Sequence, residues 1–193
     1  MRREDLLWCG LTLALVILVR GLMWGLLPPL STGDMGRDLY AFWMVLEGQT
    51  PCRDFWWQYG PLMPLYYAFW FLLGGVHLIS LQMGLDAIYV AMAFIAFWAL
   101  RLFVSPPAAF LTSLAYLSFD YAWTFNHVGA IPFLLLGIFS LWKFLTTSRV
   151  PWCYLGTLAF AGVALVKINV GPPFFLAFLL CLLFFKLGWR HLL

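Results

Sequence analysis

Half of the acidic residues crowd into one short stretch of the chain. Residues 31–60 hold four of the eight Asp and Glu, namely Asp34, Asp38, Glu47 and Asp54, together with Arg37, Arg53 and seven aromatic residues. Asp34 stands just before an apolar periodicity, where an Asp is a favoured helix N-cap. It can also serve as a general base, because partial burial at a membrane–water boundary raises a carboxyl pKa toward working pH. The two roles are compatible. The four cysteines, Cys9, Cys52, Cys153 and Cys181, show no CxxC spacing and no nearby His pair. Neither a disulfide nor a metal site is expected from them.

The elements that must hold these residues follow from composition. The chain has 193 residues, 64% of them apolar and 10% charged, with mean hydropathy +0.92. A soluble domain carries about 25% charged residues, so this chain has too little polar surface to cover a globule in water. Its apolar runs are continuous rather than alternating, which excludes a β-barrel. The net charge of +3 comes from scattered basic residues, an arrangement that gives nucleic acid no footprint. An all-α integral membrane fold is the expectation.

Proline pairs at Pro28-Pro29, Pro106-Pro107 and Pro172-Pro173 mark helix boundaries. Between them, spans are predicted at residues 6–30, 78–104, 108–125, 128–145, 152–167 and 170–189, forming one transmembrane domain over 1–193. The first run is longer than a signal-peptide core and lacks a small-x-small cleavage site, so it reads as a retained span. Residues 61–79 are ambiguous, since two prolines, Gly74-Gly75 and His77 interrupt them. Charge decides the matter. If this segment does not cross, seven basic residues (Arg2, Arg3, Arg101, Lys143, Arg149, Lys186 and Arg190) lie inside and three (Arg37, Arg53 and Lys167) lie outside. If it crosses, the balance inverts. Six spans are therefore predicted, with the N-terminus cytoplasmic and an outer loop at 31–77.

Within that loop, Leu39, Phe42, Trp43 and Leu46 recur at i, i+3, i+4 and i+7, the stripe of an amphipathic helix. Gly48 is its expected C-terminal stop. The aromatic face is expected against lipid and Arg37 and Asp38 away from it, so that the helix lies in the membrane surface. A second interfacial helix is expected from Pro61 to Gly75. Arg20 and Asp86 fall at similar depth in the first two spans and are expected to pair inside the bundle. Trp56-Trp57 reads as an interface anchor, and Lys167 either snorkels to the interface or meets an anion.

The order of these features carries a resemblance. An Asp after the first span, an amphipathic helix ending in Gly48, then Pro51-Cys52-Arg53-Asp54-Phe55, then Tyr59-Gly60-Pro61-Leu62 opening a helix that ends in Gly74-Gly75, resembles the GT-C glycosyltransferases. The type is the membrane family that includes protein mannosyltransferases and lipid A aminoarabinose transferases. The stretch from Leu158 to Lys167 is similar to a further span of that family. This chain differs in having Met35 after Asp34, where an Asp-Glu pair is frequent, and Tyr59-Gly60 before Pro61, where a Lys is frequent. It also has fewer spans, so it resembles an N-terminal half of a longer enzyme.

The resemblance implies transfer of a sugar from a polyprenyl-phosphate donor to a hydroxyl of a lipid, glycan or protein on the outer face, in a bacterial inner membrane. It implies Asp34 as the catalytic acid–base residue, with Asp120 and Asp54 as further catalytic candidates. Transfer also needs cations for the departing phosphate, and the outer cations available are Arg53, Lys167 and Arg37, with His77 and His127 able to help. No bound cofactor beyond the lipid-linked donor is implied. The rival classes are a multi-span transporter and a non-catalytic assembly subunit. A transporter would place its polar residues at the midplane and show internal repeats, whereas here the ionisable residues gather at one face.

Overall fold

The computed structural model describes residues 2–23, 34–117 and 125–186. Eight α-helices lie within them: α1 (Arg3–Met23), α2 (Asp34–Leu46), α3 (Leu62–Gly74), α4 (Leu78–Leu100), α5 (Pro106–Leu117), α6 (Phe125–Thr147), α7 (Val150–Val166) and α8 (Gly171–Lys186). Among the described residues there is no strand beyond an isolated bridge between Pro51 and Phe55. The fold is all-α, as the continuous apolar runs predict. Three segments, Arg3–Leu22, Leu78–Leu100 and His127–Thr147, are long and apolar enough to cross a bilayer. They are compatible with a membrane protein. The 13-residue α3 measures about 20 Å, short of a hydrocarbon core about 30 Å thick.

Local backbone chemistry ends the helices where the glycines stand. After α2, the Gly48 N–H donates to the Val45 carbonyl and the Gln49 N–H to that of Met44. Gly48 itself has φ +85°. This is a Schellman motif, and only a residue without Cβ adopts its left-handed turn at no steric cost. Gly75, at φ +80°, closes α3 by donating to the Phe71 carbonyl at 2.8 Å. Three residues then lead into α4, and two separate α6 from α7. Such short connections make the joined helices antiparallel neighbours.

Two ion pairs set the register of α1 against α4. Asp5 near the start of α1 meets Arg101, just past the end of α4, at 2.8 Å. Arg20 near the end of α1 meets Asp86 at 2.6 Å. Fifteen residues separate the paired positions on both chain segments, about 22 Å of helix. The helices are therefore antiparallel, with a charge pair of opposite polarity at each end of a largely apolar seam. The expected pairing of Arg20 with Asp86 is present, and Gln82 Nε2 adds a hydrogen bond to the same Asp86 oxygen at 2.8 Å.

The orientation of α2 differs from expectation. Phe42 does not face lipid: it is fully buried and stacks on Tyr67 of α3 with ring centroids 4.6 Å apart. Tyr40 and Trp43 remain exposed. An apolar stripe specifies which face is apolar but not whether lipid or protein covers it, and here α3 supplies the cover. Asp38 shares the buried side with Ala41 and Phe42.

The loop between α2 and α3 is tied to the end of α7. Gly60 donates its N–H to the Val166 carbonyl at 3.1 Å, and a Cβ on Gly60 would run into the Leu165 carbonyl oxygen. The obstacle is backbone and cannot rotate away. Gly60→Ala is expected to destabilise the protein by about 3 kcal/mol, the upper end for overpacking, and to expose the loop to protease. Gly10→Ala is the control, since nothing lies within 4 Å of that position; its melting temperature should equal or exceed that of the wild type.

Candidate functional site

The chain brings four separate segments together where that loop meets α7. From α2 come Asp34 and Arg37, from the loop Trp57 and Tyr59, from the end of α7 Lys167, and from the start of α6 His127. Arg37 is the centre. Its Nη1 donates to Asp34 Oδ1 at 2.9 Å, while Nε and Nη2 donate to Asp38 Oδ1 at 3.0 and 2.7 Å. Asp34 is largely exposed and Asp38 fully buried. One guanidinium thus bridges a solvent-facing carboxylate and a buried one. These bonds use three of its five N–H donors.

The aromatic walls complete the geometry. The Arg37 guanidinium lies 5.2 Å from the Tyr59 ring centroid and 5.8 Å from that of Trp57. Lys167 Nζ lies 5.9 Å from the same Tyr59 ring. All three distances are within cation–π range, so Tyr59 is shared by two cations. Trp57 is buried and fixed by its indole N–H, which donates to the Gly60 carbonyl at 3.0 Å. His127 lies within electrostatic reach of both Lys167 and Asp34. The arrangement offers two cations about one aromatic ring, with an exposed carboxylate beside one of them.

No family model, curated protein or solved structure matches the chain. The chemistry of the cluster therefore rests on its own residues.

The residues singled out in the sequence are not all gathered here. Asp34, Arg37 and Lys167 are brought together. Arg53 and Asp54 instead form a neighbouring pair at 2.8 Å on an exposed turn, where Asp54 Oδ2 also accepts the Thr50 N–H at 2.8 Å. The Arg53 guanidinium, and after it the Thr50 amide, hold the Asp54 carboxyl down to about 2. A carboxylate of such low basicity is a poor proton acceptor. Asp120 lies outside the described residues.

Three members of the cluster carried no such assignment. Trp56 and Trp57, which read together as an anchor, divide: Trp56 is exposed and Trp57 is buried against the site. Tyr59 had no signal of its own beyond its place before Gly60-Pro61. Asp38 was expected on the polar side of an interfacial helix. An acid four residues after another, flanked by an Arg, was the available hint that one guanidinium could serve both.

Proposed function

We propose that the chain is the active-site half of a membrane glycosyltransferase of the GT-C type, moving a sugar from a polyprenyl-phosphate donor to a hydroxyl acceptor. The observation that carries this reading is the meeting of Asp34, Arg37 and Lys167 around Tyr59, from parts of the sequence more than a hundred residues apart. The order of elements, which resembles the protein mannosyltransferase and aminoarabinose transferase family, supports it independently.

In this reading six helices span the membrane, α2 and α3 lie in its outer surface, and the N-terminus is cytoplasmic in a bacterial inner membrane. Arg37 and Lys167 grip the phosphate of the donor, Arg37 through the N–H groups its carboxylate partners leave over. A phosphate arriving there competes with Asp34 for Nη1 and frees that carboxylate. Asp34 then takes the proton of the acceptor hydroxyl as its oxygen attacks the anomeric carbon. The sugar–phosphate C–O bond breaks, and the polyprenyl phosphate departs with the bonding pair, its charge held by the two cations. Trp57 and Tyr59 border the sugar, and no nucleotide is needed because the lipid carrier holds the donor in the membrane.

The direct test is consumption of a lipid-linked sugar by the complete protein in proteoliposomes, with transfer dependent on Lys167 and Arg37. Sidedness is tested separately. Cys52 is exposed in the loop between α2 and α3. In a variant lacking the other three cysteines, a membrane-impermeant maleimide is expected to label it in intact spheroplasts. Labelling only after lysis would put the site on the cytoplasmic face and overturn this topology.

A further inference from the structure

We propose that Asp38 is a positioning residue, whose buried carboxylate fixes the Arg37 guanidinium in the orientation that meets an anionic lipid-linked phosphate. The inference rests on the phosphate-binding reading of the cluster. Its basis is geometric. Asp38 has no exposed side-chain surface, yet one of its oxygens takes two of the three hydrogen bonds Arg37 makes to acids. An arginine tied only to the exposed Asp34 would swing about its long side chain. The second, buried tie leaves it one orientation, over Tyr59 and beside Trp57.

The surroundings explain why this carboxylate is placed at a cost to the fold. On its own helix it meets Arg37 and Asp34. From α3, Tyr67 lies within electrostatic reach of it, and Tyr66 neighbours Tyr67. Tyr67 in turn feels Arg20 of α1 and Asp86 of α4. Across the site stand Lys167 and His127. Burial pushes the Asp38 carboxyl up to about 6, with Arg37 partly opposing the shift. The folded protein therefore holds this proton more tightly than the unfolded chain, and ionising Asp38 lowers stability as pH rises toward and through that value. That penalty is set against the hold the carboxylate keeps on Arg37. A neutral Asn would remove it, and would also remove the charge that holds Arg37.

The experiment measures binding of methyl citronellyl phosphate, a phosphodiester whose single charge does not titrate near neutrality, to the full chain in nanodiscs. His127→Gln is included as background, because protonation of that histidine would strengthen anion binding in acid and mask the effect. At about pH 7.5, Asp38→Asn is expected to weaken binding about tenfold, the scale of one charge-assisted hydrogen bond. Its melting temperature should be no lower than that of the wild type. Between about pH 7.5 and 5, the protein with Asp38 intact should lose affinity toward the Asp38→Asn value, while Asp38→Asn stays level. On an Arg37→Ala background, Asp38→Asn should have no further effect.

Wild-type affinity in Asp38→Asn, with Arg37→Ala weakened, overturns the positioning role and leaves the phosphate site standing. Equal weakening by Asp38→Asn with and without Arg37 overturns it too, as a general structural effect. Unchanged binding by Arg37→Ala overturns the phosphate site and this inference together. If Asp38→Asn does not fold, a level affinity across the same pH range in the His127→Gln protein overturns the proposal by itself.

Discussion

Asp34→Asn is expected to lower donor-dependent sugar transfer by about 10²–10⁴-fold, the usual contribution of a positioned general base, without lowering the amount of protein in the membrane. The choice of Asn separates the two readings of this residue. Asp34 is the first residue of α2 rather than its N-cap, where its charge favours the helix N-terminus by about 0.3–1 kcal/mol, so a residue kept only to start α2 would tolerate the change at a small cost in stability. Asn also retains an oxygen for the Arg37 N–H that now donates to Asp34 at 2.9 Å. What it cannot do is take a proton.

The kinetic split is as informative as the loss. The proposed phosphate contacts, Arg37 and Lys167, remain in Asp34→Asn, so the change should appear in kcat with KM for the donor nearly constant. Lys167→Ala should show the opposite emphasis, raising donor KM at least tenfold, because on the proposed reading it removes a charge that meets the phosphate in both ground and transition states. Wild-type kcat in Asp34→Asn would sink the assignment of the base. A loss of accumulated protein would instead return Asp34 to a structural role.

Much of the framework was legible because it depends on local backbone chemistry or on charge. Gly48 and Gly75 stop helices through left-handed φ values that other residues adopt at a cost. Pro106 and Pro107 open α5, and Pro151 lies in the first turn of α7. Arg20 and Asp86 found each other because two opposite charges at one depth in an apolar bundle have few other places to go. The site was less legible for a reason special to apolar surroundings. In a water-soluble protein a helix's apolar face points to the core, but beside lipid both the core and the exterior are apolar. Nothing in the stripe of α2 told that Phe42 would stack on Tyr67 and carry Asp38 inward with it. Arg53 and Asp54, adjacent in sequence, satisfied one another on the loop surface, which charge counting by side of the membrane does not detect. Tyr59 gained its place from Gly60, whose close approach to the end of α7 brings the ring beside Lys167; that contact spans more than a hundred residues and leaves no local pattern.

The second large effect is expected at the α1–α4 seam, and it is a stability effect. Arg20 and Asp86 are mostly buried, with the guanidinium 4.2 Å from the Tyr89 ring and Gln82 donating to the carboxylate. Removing one partner leaves the other charge in the seam without it, and breaking a buried pair in this way costs about 3–5 kcal/mol. Arg20→Ala or Asp86→Ala should therefore reduce the membrane-inserted protein severalfold. Replacing both with apolar residues of similar volume, Arg20→Met with Asp86→Leu, strands no charge and should recover most of that loss, because a buried pair replaced as a whole by well-packed apolar side chains is close to neutral. Exchange of the two, Arg20→Asp with Asp86→Arg, should recover less, since Gln82 and Tyr89 are arranged for the present polarity. Quantitative immunoblots of membranes, with Asp34→Asn alongside, read both sites at once. Normal levels of both single variants would show that the pair does not hold the helices. If they accumulate normally yet lose an ion or solute flux, the pair belongs to a transport path and the transferase reading gives way to it.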